Sequence, residues 1–155
     1  MRYTCGIIFY QDGQMLIGHT TGQDHWDLPK GKTEGDETYA QAAVRECAEE
    51  TGYHIDERDL LLLGEVPYRK GKRLVLFFHT GSNKPVAGDL RCISTYTNKH
   101  GLSKPELDKF MYIDVIDCER FLTDRMCKSI LKAVTQFVTN NKRENHNNGS
   151  KNLRS

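Results

Sequence analysis

The stretch from Thr38 to Gly52 (TYAQAAVRECAEETG) fixes both ends of a helix and the surface that helix must cover. Thr38 followed three residues later by Gln41 is a capping-box pattern, and Gly52 suits the left-handed residue that closes a helix, so the spacing predicts a helix over 39–51. Ala40, Ala43, Val44 and Cys47 recur at i, i+3, i+4 and i+7. That stripe is apolar but small in volume, so the helix can lie close against a sheet. On a neighbouring side Glu46, Glu49 and Glu50 stand at i, i+3 and i+4, three carboxylates within one turn. Like charges that close repel. A chain tolerates them where water screens them or where a cation is meant to sit.

The flanking segments predict the sheet. Tyr3–Tyr10, rich in β-branched and aromatic residues, is followed by the tight-turn pair Asp12-Gly13 and then by Gln14–Thr20, which predicts a hairpin. Leu60–Val66 and Arg73–Thr80 read as strands joined by a tip at Lys70-Gly71-Lys72. Leu90–Thr97 and Phe110–Ile116 read as further strands with a loop over 98–105 between them. From Asp117 to about Val138 the pattern turns helical, with an interruption near Thr123-Asp124. The order describes an α/β fold with a mixed sheet, one central helix and one C-terminal helix.

Charge and cysteine usage narrow the class. The 155 residues carry a formal charge of +1, but the Asn-rich stretch from Asn140 onward holds four cations against Glu144, which leaves −2 on residues 1–139. A slightly acidic folded part is not a general polyanion binder, although local basic groups can still hold phosphates. We expect a domain over 1–139 and a disordered polar tail over 140–155, either a solvated end or an RNA-touching arm. The five cysteines are scattered without a CxxC pair and are expected as reduced core thiols. The start lacks a signal-peptide layout and no apolar run is long enough for a membrane span, so a cytoplasmic protein with no membrane partner is expected.

Gly31, Glu37, Arg45-Glu46, Glu49-Glu50 and Gly52 stand in the order G, five residues, E, seven residues, R-E, two residues, E-E, one residue, G. This resembles without a gap the signature of the Nudix hydrolases, with Cys47 and Tyr53 in its apolar slots. Seven specified positions would meet by chance on the order of once in a million sequences. The solvated acidic face that such glutamates would otherwise suggest is therefore set aside. The preceding WDLPKGK and the strand order are similar to the same family, whose fold is an α/β/α sandwich.

The resemblance implies a pyrophosphohydrolase with Mg²⁺ as cofactor and Mn²⁺ as a substitute. It implies Glu46, Glu49 and Glu50 as metal ligands, joined by the carbonyl of Gly31, with Glu37 and Arg45 holding loop and helix together. Pro105-Glu106-Leu107-Asp108 resembles a loop segment of the RNA pyrophosphohydrolase and dinucleoside-tetraphosphatase branches, which makes Glu106 the first candidate for a further ligand or base and Asp108 the second. Lys30 and Lys32 could take a phosphate oxygen or be solvated, and Trp26 could stack on a base or pack at the rim of the core. Pro67 and Tyr68 follow the box near the spacing where Nudix families carry substrate markers, a proline for ADP-ribose and a tyrosine for diadenosine polyphosphates. Being adjacent, they point to neither. The expected substrate is a small nucleotide such as a dinucleoside polyphosphate or ADP-ribose. An RNA 5′ end is the alternative, and a catalytically silent nucleotide- or RNA-binding sensor is the rival of another class.

Overall fold

A computed structural model describes residues 1–153, with side chains through residue 145, as β1 (Arg2–Ile8), β2 (Tyr10–Gln11), β3 (Gln14–Thr20), β4 (Trp26–Asp27), β5 (Lys30–Lys32), α1 (Tyr39–Thr51), β6 (Leu60–Arg69), β7 (Lys72–His79), β8 (Thr95–Thr97), β9 (Ser103–Pro105), β10 (Leu107–Asp114), α2 (Cys118–Phe121) and α3 (Asp124–Leu153). One sheet has the order β5-β1-β7-β6, with β1 and β7 parallel and the other pairs antiparallel. A second has the order β10-β3-β2, with β4 also on β3, and β8 with β9 makes a separate ribbon. The mixed sheet is therefore split, and helices cover it from both sides as an α/β sandwich.

Strand β7 shows why the layers form. Its run RLVLFF is apolar without alternation, as expected of a strand buried on both faces. Leu74 and Leu76 join Ile8, Met15, Ile17, Val66, Met126 and Ala133 in the core beneath α3. Val75 and Phe77 point the other way and join Cys5, Ile7, Phe9, Ala42, Ala43 and Cys47 beneath α1. The small stripe of α1 lets its backbone approach β1 and β5, which carries its glutamates to the edge of the sheet.

Helix α1 has the predicted bounds: Thr38 Oγ1 accepts from the Gln41 amide, the Gln41 side chain accepts from the Thr38 amide, and Gly52 has φ +74. Other expectations need correction. Only Tyr10-Gln11 turns back onto Gln14-Met15 around Asp12-Gly13, while β1 crosses to the other sheet to pair with β7. The predicted strand over Leu90–Thr97 shrinks to β8. Its first half instead satisfies α1: the amides of Arg91, Ile93 and Ser94 donate to the carbonyls of Thr51 and Glu49 at 2.9, 2.7 and 2.9 Å. Those carbonyls have no partner within their own helix, so tertiary capping outweighs strand pairing here. The five cysteines are free thiols, Cys5 and Cys47 fully buried and the rest half-buried.

Helix α3 packs Met126, Ala133 and Phe137 on the core, with Phe137 edge-on to Phe78. Its backbone stays helical through Leu153, where the sequence predicts a disordered tail from 140. Side chains 141–145 are exposed and bury nothing, and a helix satisfies its backbone without them. The tail side chains beyond residue 145, Lys151 and Arg154 included, lie outside the described residues.

Candidate active site

Three pieces of chain meet at the C-terminal half of α1. Strand β5 lies beside it. There the Lys30 amide donates to Glu50 Oε1 at 2.9 Å, and the Glu46 carboxyl rests on the α-carbon of Gly31 so closely that a methyl group there would overlap it. The capping segment 91–94 arrives from the other side, and Ser94 brings in Glu106: its carbonyl accepts from the Glu106 amide at 3.1 Å, and its hydroxyl donates to Glu106 Oε2 at 3.3 Å. The Glu106 carbonyl in turn accepts from Thr21 at the end of β3 at 3.1 Å. Glu46, Glu49, Glu50 and Glu106 thus come from one helical turn and one loop, separated by more than fifty residues of chain.

Arg45 is the centre of the charge network. Its Nε and Nη2 donate to the two oxygens of Glu37 at 2.8 and 3.0 Å, Nη1 donates to Glu46 at 2.9 Å and Glu49 at 3.2 Å, and Nη2 also reaches the Lys32 carbonyl at 2.7 Å. One guanidinium ties the loop before the helix to the helix itself, with the planar fork matched to carboxylates. The bonds to Glu37 above all keep Arg45 charged well beyond ordinary arginine, and they hold the Glu37 carboxyl below the usual range.

Burial shapes the rest. Glu50 is 5% exposed, and desolvation pushes its carboxyl up to about 8 despite Lys30 nearby, with Glu46 and Glu106 adding like charge. Glu46 is raised by burial too, opposed by Arg45 and reinforced by Glu49 and Glu106. Among the described residues no three acidic, histidine or thiol side chains already converge on one ion position. The geometry explains this: Arg45 holds Glu46 and Glu49, and Glu50 is turned to the Lys30 amide. The donors are all oxygen and mostly anionic, and they sit at the ends of rotatable side chains, which suits a hard divalent cation.

A pocket of about 410 Å³ opens beside the acids, lined by Thr20, His25, Lys30, Glu50, Arg69, Tyr96 and Glu106 among others. Lys30 Nζ is 2.8 Å from Asp27 Oδ2. Burial disfavours the ammonium, but Asp27 outweighs it and holds its pKa above the ordinary lysine value. Lys30 therefore lies in the pocket wall. Lys32 is exposed and contributes its carbonyl to Arg45. Trp26 packs at the core rim, edge-on to Phe121 and His19, and does not line the pocket. Tyr68 lies outside it as well, with the Arg69 guanidinium 5.4 Å from its ring centre. Asp108 is turned away from the acids onto His19 Nδ1, 2.6 Å off, at a bulge in β10.

Sequence reasoning overlooks Arg69, Tyr96, His25, Asp27 and Ser94. Asp27 three residues before Lys30, and the basic tip Arg69-Lys70-Gly71-Lys72, are local signals that could have been used. Tyr96 and Ser94 have none, because they are placed by the capping of α1.

The split mixed sheet between helices thus carries the acid-bearing end of α1 at its edge. A family model described as the NUDIX domain matches residues 1–112. The chain belongs to the Nudix hydrolase family. It is 39% identical over 124 residues to the uncharacterized 17.7 kDa protein in the e-segB intergenic region of Enterobacteria phage T4, covering 71% of this chain and 80% of that one. It is also 39% identical over 77 residues to an RNA pyrophosphohydrolase of Pseudomonas putida, a match that spans 48% of either chain. The crystal structure of the MutT protein from Methanosarcina mazei Go1 superposes with a TM-score of 0.62 at 17% identity, over 91% of this chain and 95% of that one, which is a likeness of fold.

Proposed function

We propose that this chain hydrolyses a phosphoanhydride bond in a nucleoside diphosphate linked to a further group, such as a dinucleoside polyphosphate, ADP-ribose or a similar small nucleotide, with a divalent cation. The observation that carries this reading is the placing of Glu50 and Glu106 in one pocket with Lys30 and Arg69, on the helical turn that also bears Glu49 and the Glu46 carboxyl packed on Gly31. Nudix hydrolases generally use a divalent metal. Here Glu46, Glu49, Glu50, Glu106 and the Gly31 carbonyl would hold Mg²⁺, or Mn²⁺ in its place. Such an ion supplies neutralisation of phosphate charge and a lowered pKa for bound water.

The chain's own residues do the rest. Lys30, kept charged by Asp27, and Arg69 are placed to bind phosphate oxygens at the pocket wall. Arg45 and Glu37 position Glu46 and Glu49 by fixing the helix to the loop. Glu106, steadied by Ser94, is the acid placed to accept a proton from attacking water. Tyr96 closes one side of the pocket, its hydroxyl donating to the Thr21 carbonyl at 3.2 Å.

A second reading, removal of pyrophosphate from RNA 5′ ends, is supported by the match to the Pseudomonas putida protein and by the Pro105–Asp108 segment. One panel separates the two: dinucleoside tri- and tetraphosphates, ADP-ribose, nucleoside triphosphates and 5′-triphosphorylated RNA, each with Mg²⁺, with Mn²⁺ and with EDTA. Turnover confined to the small nucleotides supports the first reading, and turnover confined to RNA supports the second. A protein that binds nucleotides and turns over none of them is a silent sensor, and the enzymatic reading then fails.

A further inference from the structure

Five cations gather on a surface that the acid cluster does not use. A groove of about 670 Å³ runs between the β6–β7 hairpin and the start of α3, lined by Tyr68, Arg69, Lys70, Arg125, Lys128 and Lys132 among others. Arg125, Lys128 and Lys132 stand at i, i+3 and i+7, so they form one stripe along α3. The adjacent side of that helix is buried through Met126, Ser129 and Ala133, and the stripe borders the groove opposite the hairpin tip that carries Arg69 and Lys70. All five cations are exposed, and among the described residues none lies within 4.0 Å of a carboxylate. The one acid in the lining, Asp124, leaves the groove strongly positive on a domain whose residues 1–139 sum to −2.

Like charges at helical spacing cost a few tenths of a kcal/mol each, and an ordinary solvated face mixes signs. This face does not. Two further observations identify the partner. Arg69 lines both this groove and the 410 Å³ pocket at the acids, so the two adjoin at one exposed side chain. The half-buried Tyr68 ring lines the groove too, packed against the core with the Arg69 guanidinium over it 5.4 Å from its centre, so a base stacks there by displacing Arg69. A row of cations with an aromatic platform, leading out of a nucleotide pocket, fits a single-stranded chain of nucleotides.

We infer that the groove between the β6–β7 hairpin and α3 binds the phosphodiester backbone of single-stranded RNA whose 5′ end enters the pocket at Glu50 and Glu106. Arg125, Lys128, Lys132 and Lys70 contact successive backbone phosphates, and Tyr68 stacks on a base. That the bound RNA is also cleaved at its 5′ end rests on the hydrolysis proposed above, but binding does not.

The test uses the full chain and a fluorescent single-stranded RNA octamer ending in a 5′ hydroxyl, which has no bond to hydrolyse. Its affinity is measured by anisotropy across a salt series for the native protein and for Arg125→Gln/Lys128→Gln/Lys132→Gln. Each lost phosphate contact lowers the slope of log affinity against log salt by about 0.7 for single strands. The triple variant should lower it by about 2 and weaken binding at least about tenfold at low salt, and Lys70→Gln alone should lower the slope by about 0.7. Turnover of the best small nucleotide in the panel should stay within about twofold in the triple variant. On 5′-triphosphorylated octamers kcat/KM should fall with binding. Equal slopes and equal affinity in native and variant proteins overturn the inference, whichever substrate is cleaved. If the native protein cleaves nothing yet the slope still falls, the groove stands and the enzymatic reading fails.

Discussion

Gly31→Ala separates catalytic geometry from stability. Gly31 lies in β5 without the positive φ that would demand glycine, so alanine meets no backbone strain. What it meets is the Glu46 carboxyl, which must leave by more than about 1 Å to restore ordinary contact, and a misplacement of that size costs about 10²-fold in rate. The obstructing group is the end of a flexible side chain and can swing away. Its departure removes the bond from Arg45 Nη1, a charged hydrogen bond worth about 1.5–3 kcal/mol. Less conformational freedom in the unfolded chain returns about 0.4–1 kcal/mol. The net loss is thus about 1–2 kcal/mol, a fall in Tm of a few degrees for a chain of this size. The control is Gly13→Ala. Gly13, in the turn between β2 and β3, has φ +80 and open space around it, so alanine there costs about 1–2 kcal/mol of backbone strain away from the acids. Turnover of the best substrate and thermal unfolding are measured for both. Gly31→Ala should lose about a hundredfold in kcat and Gly13→Ala almost none, at similar Tm. Gly31→Ala retaining kcat within about threefold would refute the placement of Glu46.

Other consequences follow from the same geometry. Arg45→Lys keeps the charge but loses the fork that spans Glu37, Glu46 and Glu49, and should cost about 1–3 kcal/mol in urea unfolding; an unchanged midpoint contradicts the network. Gly52→Ala places a methyl 2.9 Å from the Arg91 carbonyl at φ +74, and should destabilise by about 1–2 kcal/mol or more through backbone strain alone. His79 is 6% exposed, and burial, then Lys84, hold its pKa below 6.5. A depressed folded pKa means the full contribution is present above about 6.5 and is lost as pH falls through the folded value. The fall in urea midpoint between about pH 7 and pH 5 should therefore shrink in His79→Gln, and an identical fall in both proteins would exclude His79 as its source.

The bounds of α1 were legible to the residue because Thr38, Gln41 and Gly52 act through bonds within three or four positions. The Leu90–Thr97 strand was misread because its amides serve the carbonyls of Glu49 and Thr51, some forty residues earlier, a debt no local pattern announces. The expected hairpin of β1 with β3 failed for a related reason: the turn at Asp12-Gly13 is real, yet the pairing of β1 with β7 is set by burial on both faces. In the candidate site, the clustering of acids on α1 could be read from spacing, while their link to Arg45 and Glu37 was implied only by the resemblance of the box. Glu106 was reached only through the resemblance of its segment. Arg69 escaped notice because a basic hairpin tip looks like any solvated turn until the fold sets it beside the pocket. Asp108 and Trp26 show the converse, plausible ligands that the fold commits to His19 and to the core rim.

The central claim is that the glutamates at the end of α1 serve a metal-dependent cleavage of a phosphoanhydride. Glu49 is the acid to change, since its side chain is 43% exposed and among the described residues its only side-chain bonds are those from Arg45. Glu49→Gln should unfold at nearly the native temperature and lose turnover by orders of magnitude on whichever substrate the native protein cleaves with Mg²⁺. Turnover that survives in Glu49→Gln, or native turnover that persists in EDTA, would contradict the account.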